Sequence, residues 1–211
     1  MKVLVIGGNG RVGSLLVDKL ASKHQVLSGS RNPKTENNLD NIGQVYIDLL
    51  SHVDTIAESM NGVDAIYFVS GSRGKNLLQI DLHGAIKSMQ AAEKAGVKRF
   101  IMLSSVFTLQ PERWKESFLS NLTDYNIAKH YADLYLTTQT QLNYTILQPG
   151  ALKEETGTGK IETNVNNPGS NSIANVVNTL VLILENNSTI GKVILMHDGN
   201  TPIAEALHQI K

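Results

Sequence analysis

A cluster of glycines near the N-terminus restricts this chain to few folds. The segment Gly7-Gly8-Asn9-Gly10-Arg11-Val12-Gly13 follows an apolar run at residues 3–6. It precedes apolar residues at helical spacing, namely Val12, Leu15, Leu16 and Leu20. A continuous apolar run is typical of a strand buried on both faces, and the later spacing is typical of a helix with one apolar face. The glycines therefore predict a tight turn from a strand into a helix.

The same segment carries a chemical signature. It can be written as G-x-x-G-x-x-G from Gly7 or as G-x-G-x-x-G from Gly8. Glycines let the backbone approach a pyrophosphate, and the start of a helix offers free N–H groups and partial positive charge. The alternative is a strand-to-helix turn with no ligand. The position between a buried strand and an amphipathic helix favours dinucleotide binding, with Gly7, Asn9, Gly10, Arg11 and Val12 as the contact residues.

Strand and helix patterns alternate along the rest of the chain. Strand patterns occur at residues 24–28, 44–47, 65–69, 100–103 and 143–147, and helical patterns at residues 53–60, 77–95 and 122–136. This alternation predicts an α/β fold. With the glycine segment it indicates a Rossmann-type, doubly wound parallel sheet flanked by helices. In such sheets ligands bind beyond the carboxyl ends of the strands.

The length of 211 residues suits one domain spanning residues 1–211. The regular pattern ends near Pro149-Gly150, so a cofactor-binding core is expected at about residues 1–150. Residues 151–171 look like loop, and a helix at 173–184, a strand at 193–196 and a helix at 204–210 follow. We expect residues 151–211 to form a short C-terminal cap on the substrate side, which favours a small substrate.

The composition excludes several classes of function. Nineteen basic residues balance nineteen acidic ones, which gives no electrostatic reason to expect nucleic acid or an anionic membrane as a partner. No apolar run approaches the roughly 20 residues of a membrane span. The absence of cysteine excludes thiolate zinc sites, iron–sulfur clusters and cysteine nucleophiles, and the six histidines lack metal-ligand spacing. We expect a cytoplasmic monomer or homodimer without a metal, whose partner is a small-molecule substrate.

The residues after the second strand bear on which dinucleotide binds. NAD sites usually place an acidic residue there, and NADP sites place an arginine. This chain has Ser30-Arg31-Asn32-Pro33-Lys34 and no carboxylate. Arg31 can pair with a 2′-phosphate in bidentate fashion, and Ser30, Lys34 and Arg11 could assist. The sequence therefore predicts NADP rather than NAD, with a solvated Arg31 as the alternative.

Two further sets of residues are candidates for the site. Asp48-Leu49 follows the third strand and is expected beside the adenine, although Asp48 alone could equally cap a helix. Tyr125 and Lys129 lie four residues apart on a predicted helix and so share a face. A phenol near an ammonium group loses its proton more easily, which makes Tyr125 a plausible acid or base. The common alternative is a structural tyrosine beside a solvated lysine.

In combination and order, these motifs resemble the compact atypical short-chain dehydrogenases/reductases, NAD(P)-binding proteins similar to biliverdin reductase B and to the NmrA-like group. The matching segments cover nearly the whole chain. They are residues 3–13, 30–33, 97–105, 125–129, 132–133, 144–150 and 198–203. One departure is Gln148, which stands where relatives often have arginine, so any contact made by that arginine is in doubt.

The resemblance implies a catalytic site of serine, tyrosine and lysine. Ser105, with Ser104 as the fallback, would orient a substrate carbonyl. Tyr125 would transfer the proton, and Lys129 would hold the nicotinamide ribose and lower the pKa of Tyr125. The resemblance also assigns cofactor contacts. The contact residues are Val69, Ser70, Gly71 and Ser104, which would lie along the cofactor, and Pro149 and Gly150, which would lie beside the nicotinamide.

The predicted function is that of an NADPH-dependent oxidoreductase that transfers hydride to a small carbonyl-type substrate, with Tyr125 as proton donor. An alternative is a redox sensor or scaffold protein that binds NADP(H) without turnover. A nucleotide-sugar epimerase or dehydratase is less favoured, because only 61 residues follow Gly150.

Overall fold

A nine-stranded sheet forms the centre of the molecule in a computed structural model that describes residues 1–33, 40–163 and 165–210. The strands are β1 Lys2–Ile6, β2 Gln25–Ser30, β3 Ile42–Tyr46, β4 Ala65–Phe68, β5 Arg99–Leu103, β6 Asn143–Pro149, β7 Ala151–Lys153, β8 Lys160–Glu162, β9 Ser170–Ser172, β10 Lys192–Asp198 and β11 Thr201–Pro202. The helices are α1 Arg11–Leu20, α2 Val53–Glu58, α3 His83–Lys94, α4 Thr123–Gln139, α5 Ile173–Glu185 and α6 Ile203–His208.

The sheet order is β11-β8-β10-β6-β5-β4-β1-β2-β3, and β7 pairs separately with β9. Every neighbouring pair from β10 across to β3 is parallel, whereas β8 and β11 add an antiparallel edge. In the register of β1, Leu4 lies between Leu27 of β2 and Ile66 of β4. Because the strands are parallel, β1, β2, β4 and β5 end at the same edge of the sheet.

Side chains of β1 alternate between two cores, as the two-residue period of a strand requires. Val3 and Val5 pack on one side of the sheet with residues of α1, α5 and α6. Leu4 and Ile6 pack on the other side with residues of α2, α3 and α4. Helices therefore cover both faces of a mostly parallel sheet, which confirms the predicted Rossmann-type, doubly wound fold.

The segment after Gly150 is divided between the core and the region around the site. Strand β10 pairs with β6 and extends the parallel sheet, and α5 packs into the same core as α1. The stretch expected to be loop contains the short strands β7, β8 and β9. These strands could not be read from the sequence because each is only three residues long.

The helix predicted at residues 77–95 is interrupted. Leu77–Leu82 forms a π-helical turn, in which the N–H of His83 donates to the carbonyl of Leu78, and α3 follows. Such turns insert one extra residue and frequently occur at functional sites. None of the helices in the described ranges is long and apolar enough to span a membrane.

Candidate active site

A cavity of about 710 Å³ opens at the edge of the sheet where β1, β2, β4 and β5 end. Its volume lies within the range of small-molecule and cofactor sites, roughly 300–1,000 Å³. Most predicted site residues line it, namely Gly7, Asn9, Gly10, Arg11, Val12, Ser30, Arg31, Leu49, Val69, Ser70, Gly71, Ser104, Tyr125 and Lys129. Asp48, Ser105, Pro149 and Gly150 do not belong to its described lining.

The cavity wall is electropositive although the chain has no net charge. Its basic residues are Arg11, Arg31, Arg73, Lys75 and Lys129. No aspartate or glutamate is among the described residues that line it. A wall with this charge distribution favours an anionic ligand.

Close backbone packing requires glycine at two positions of this loop, Gly7 and Gly13. Gly7 has a φ of 92°, and a Cβ atom there would lie 2.8 Å from the Ser70 backbone. A Cβ atom on Gly13 would lie 2.1 Å from the Gly7 carbonyl oxygen. Helix α1 begins at Arg11, and no side chain caps it from the N-cap residue Gly10. The first N–H groups of α1 are thus left for a ligand, and this cradle fits the pyrophosphate of a dinucleotide.

Hydrogen bonds join the glycine loop to the end of β2. The Asn9 side-chain amide donates to Ser30 Oγ at 2.9 Å and to the Asn32 carbonyl at 2.6 Å. These bonds hold the segment that presents Arg31 to the cavity. Lys34, which was expected to assist Arg31, lies outside the described residues.

At the opposite wall, Arg11 reaches Glu154, which follows β7, with 3.4 Å between Nη1 and Oε1. Both side chains are largely exposed, so this ion pair contributes little stability. It nevertheless shows that the segment after β7 lies next to the glycine loop.

The acidic residue after β3 does not face the cavity. Asp48 Oδ1 accepts a hydrogen bond from the Leu50 N–H at 3.0 Å, which stabilises the turn after the strand. Ile47 and Leu49 line the cavity instead, together with Ile80. Of the expected pair Asp48-Leu49, only Leu49 is therefore exposed to the cavity.

Pro149 and Gly150 lie behind the cavity wall. The Pro149 carbonyl accepts from the Val106 N–H at 2.9 Å, and the Gly150 N–H donates to the Met196 carbonyl at 3.1 Å. A Cβ atom on Gly150 would lie 2.0 Å from the Pro168 carbonyl oxygen. In this structure the two residues serve the close packing of β6 against β10 and the loop before β9.

Helix α4 brings Tyr125 and Lys129 to the same wall of the cavity. Lys129 is 2% exposed, and its Nζ donates to the Leu103 carbonyl at 3.3 Å. The same Nζ lies 6.0 Å from the centre of the Tyr125 ring. The Tyr125 hydroxyl makes no hydrogen bond with any described residue, so it is available to a ligand.

The pKa of Tyr125 differs in direction from the expectation. Burial raises the pKa of Tyr125 strongly, and the negative charges of Asp81 and Asp133 raise it further. Burial also lowers the pKa of Lys129, which these carboxylates partly oppose. The pKa of Tyr125 is therefore raised rather than lowered in this structure, because burial and two nearby carboxylates all disfavour the phenolate.

Of the two adjacent serines, Ser104 lines the cavity and Ser105 does not. The Ser104 hydroxyl donates to Asp133 Oδ2 at 2.7 Å. The choice between these serines could not be made from the sequence, because the strand ends just before them and the alternation of side chains no longer applies.

Asp133 is a site residue whose importance the sequence did not reveal. This fully buried carboxylate also accepts from Thr108 Oγ1 at 2.5 Å and from Gln148 Nε2 at 2.9 Å. Burial raises the pKa of Asp133, which these hydrogen bonds partly counteract. Gln148 thus takes part in a buried polar network where relatives often have arginine.

Asp81 is a second buried carboxylate of this region, and it lies on the π-helical turn. A sequence signal did exist, since Asp81 lies four residues before Ala85 on the apolar face of the predicted helix. A carboxylate at a buried helical position is rare without a partner.

Comparison with known proteins agrees with this geometry. Residues 7–187 match the model of the NAD(P)H-binding family. The chain belongs to this family. With the fold described above, the match confirms the resemblance to atypical short-chain dehydrogenases/reductases, an NAD(P)-binding group of oxidoreductase type.

Two known proteins are similar to this NAD(P)H-binding protein over nearly their whole length. The Bacillus subtilis (strain 168) protein YhfK, an uncharacterized sugar epimerase, is 36% identical over 219 residues, with 100% of each chain covered. The oxidoreductase ylbE from Lactococcus lactis has a crystal structure that matches with a TM-score of 0.96 and 47% identity, over 100% of this chain and 96% of that one.

A more distant solved structure is a short-chain dehydrogenase/reductase from Veillonella parvula in complex with NADP. Its TM-score is 0.77 at 14% identity, over 95% of this chain and 96% of that one. At this identity the likeness concerns the fold alone.

Proposed function

We propose that this protein is an NADPH-dependent oxidoreductase that reduces a small carbonyl-type substrate, with Tyr125 as the proton donor. One observation carries the proposal. A single cavity joins the phosphate cradle at α1, the Arg31 segment and the Tyr125–Lys129 pair along one wall. This arrangement allows a dinucleotide to extend from the end of β2 to the end of β5, so that its reactive end lies beside Tyr125.

The preference for NADPH rests on the end of β2. Arg31 lines the cavity next to Ser30, and no carboxylate is present among residues 29–33. An arginine there attracts a 2′-phosphate, whereas an acidic residue would select the free ribose hydroxyl of NAD. The first N–H groups of α1 would hold the pyrophosphate, and Lys129 would hold the nicotinamide ribose.

Burial disfavours the phenolate of Tyr125, so the residue is held as the neutral phenol that carbonyl reduction requires. When bound, the reduced nicotinamide supplies the hydride that the carbonyl carbon accepts. Tyr125 donates its proton to the carbonyl oxygen, so that the product is an alcohol. Because burial raises the pKa of Tyr125, the phenol stays protonated at neutral pH and is ready to donate. The reverse reaction would need the phenolate, which burial disfavours.

Lys129 and Ser104 have supporting roles in this scheme. The Lys129 ammonium stabilises the phenolate that remains after proton transfer. The Ser104 hydroxyl already donates to Asp133, so Ser104 offers lone pairs rather than a proton to the cavity. The substrate oxygen is therefore held by Tyr125, and Ser104 accepts a hydrogen bond from a donor group of the ligand.

The test compares Tyr125→Phe with Tyr131→Phe. Tyr131 lies on the same helix but is 53% exposed, so its substitution controls for loss of a hydroxyl on α4. With NADPH and a panel of small aldehydes, ketones and quinones, Tyr125→Phe should lower kcat by about 10²–10⁴-fold, the usual contribution of a positioned acid. NADPH affinity should stay within about threefold, and Tyr131→Phe should match the wild type. Equal rates for wild type and Tyr125→Phe on every accepted substrate would refute the assignment.

A second candidate is a sugar epimerase, because YhfK bears that description and is similar over its whole length. An epimerase of this kind oxidises and then reduces its substrate, so it consumes no NADPH overall. Its first step would need Tyr125 as a phenolate, and burial works against that form. Incubation with sugar nucleotides and catalytic NAD(P)⁺, followed by NMR of the sugars, separates the two functions. A new epimer without net cofactor turnover would favour the epimerase.

A further inference from the structure

The carboxylate of Asp81 is buried with few polar contacts. Asp81 has 0% exposure, and among the described residues both of its oxygens accept from one donor, the Ser72 N–H, at 3.3 and 3.1 Å. An ionised carboxylate can accept about four hydrogen bonds. A buried charge is costly unless another charge or a set of donors compensates it. The described structure therefore requires a source of positive potential near Asp81.

The backbone at Asp81 aims this carboxylate toward the cavity loop. The π-helical turn Leu77–Leu82 holds Asp81 against the segment after β4, where a Cβ atom on Gly71 would lie 3.3 Å from Asp81 Oδ1. Ser70, Gly71 and Ser72 all line the cavity. Asp81 thus lies directly behind the loop that is expected to follow the cofactor.

Helix α4, which carries the buried Lys129, packs directly against the π-helical turn that carries Asp81. Burial lowers the pKa of the Lys129 ammonium, and Asp81 is the larger of the two charges that raise it, with Asp133 second. The same two carboxylates raise the pKa of Tyr125, the third titratable group of this region. No direct ion pair joins Asp81 to Lys129 within the described residues, so the interaction acts through space.

We propose that Asp81 is a positioning residue of the site: its carboxylate anchors the cofactor loop through the Ser72 N–H and supplies the negative charge that acts on the buried Lys129 ammonium of the adjacent helix α4. This inference rests on the proposed function, because Asp81 can assist catalysis only if the protein catalyses that reaction. Its two physical parts, the loop anchor and the effect on Lys129, can be measured without turnover. Asp81 itself does not touch the reacting atoms.

The first experiment measures the protonation of Lys129 directly. In protein with isotope-labelled lysine side chains, the Lys129 NMR signal is assigned by its loss in Lys129→Met, and its titration midpoint is followed with pH. Asp81→Asn removes the charge but keeps an oxygen for the Ser72 N–H. We expect the Lys129 midpoint to fall by at least about one pH unit, as for a buried charge partner. Asp124→Asn, an exposed carboxylate next to Tyr125, should leave it unchanged.

The second experiment isolates the loop anchor. Asp81→Leu removes the acceptor as well as the charge, so the half-buried Ser72 N–H loses its partner. NADPH affinity, measured by fluorescence titration, should be at least about fivefold weaker in Asp81→Leu than in Asp81→Asn. Thermal melting of each variant shows that it is folded. Equal affinities in folded variants would overturn the anchor.

An unchanged Lys129 midpoint in Asp81→Asn would overturn the electrostatic part, whatever the enzyme's activity. That experiment does not depend on Asp81→Leu folding. A shifted midpoint supports the inference even when no carbonyl compound is reduced, in which case only the proposed function fails. With an accepted substrate, the alkaline limb of the kcat profile should move to lower pH in Asp81→Asn, because Lys129 and Tyr125 would both lose protons more easily.

Discussion

Gly13→Ala tests whether the glycine loop is shaped by backbone contact between α1 and β1. A Cβ atom at this position would lie 2.1 Å from the Gly7 carbonyl oxygen, 2.8 Å from the Gly7 carbonyl carbon and 2.9 Å from Gly8 Cα. All three are backbone atoms, so no side chain can rotate away. The Gly7 carbonyl is also fixed because it accepts the Gly10 N–H at 2.9 Å.

The size of the effect follows from these distances. The helix and the loop must separate by at least 0.9 Å to restore even a 3.0 Å contact. Overpacking of this kind usually costs about 1–3 kcal/mol. Alanine offsets about 1 kcal/mol through its better helix propensity. A net loss of up to about 2 kcal/mol in a chain of this length should lower Tm by up to roughly 8 °C.

The substitution should also weaken cofactor binding. The first N–H groups of α1 move with the helix, and loss of about 1.4 kcal/mol of phosphate binding is a tenfold weaker Kd. Differential scanning calorimetry and NADPH titration measure the two effects. Ser14→Ala, one residue further along α1, adds no atoms and should change neither. A Gly13→Ala protein with wild-type Tm and wild-type NADPH affinity would show that the close contact does not exist.

Two further predictions concern charges. Arg31→Ala should weaken NADPH binding by roughly 10–100-fold, the value of a charge-assisted phosphate contact, and leave NADH within about twofold; equal losses for both cofactors would contradict the phosphate assignment. Asp133→Asn tests the buried carboxylate. Because burial raises its folded-state pKa, the wild type should lose stability relative to Asp133→Asn as pH rises from about 4. Urea unfolding at about pH 5 and about pH 8 measures this difference, and a wild type that gains on the variant with rising pH would contradict it.

Much of the fold and part of the site follow from local patterns. The apolar run before Gly7 and the helical spacing after it specify β1, α1 and the cradle between them, because strand and helix periods are local properties of the backbone. The four-residue spacing of Tyr125 and Lys129 likewise places both on one face of α4. The lack of an acidic residue after β2 is visible in the sequence without any structure.

Other features depend on contacts between distant segments. Asp48 faces away from the cavity because of the turn after β3, and Ser104 rather than Ser105 faces it because Asp133, from another element, binds its hydroxyl. The π-helical turn directs the Asp81 carboxylate toward the Ser72 N–H. No local pattern distinguishes these arrangements from their alternatives.

The sequence by itself determined the main alternation of strands and helices, the glycine turn between β1 and α1, and the candidates Arg31, Tyr125 and Lys129. Only the tertiary structure decided in which direction the pKa values of Tyr125 and Lys129 shift. The pKa of Tyr125 is raised, and that of Lys129 lowered, by burial under segments distant in the chain, and both respond to Asp81 and Asp133. Desolvation and charge interactions depend on distances in space rather than along the chain, so residue spacing could name the reactive groups but not their charge states.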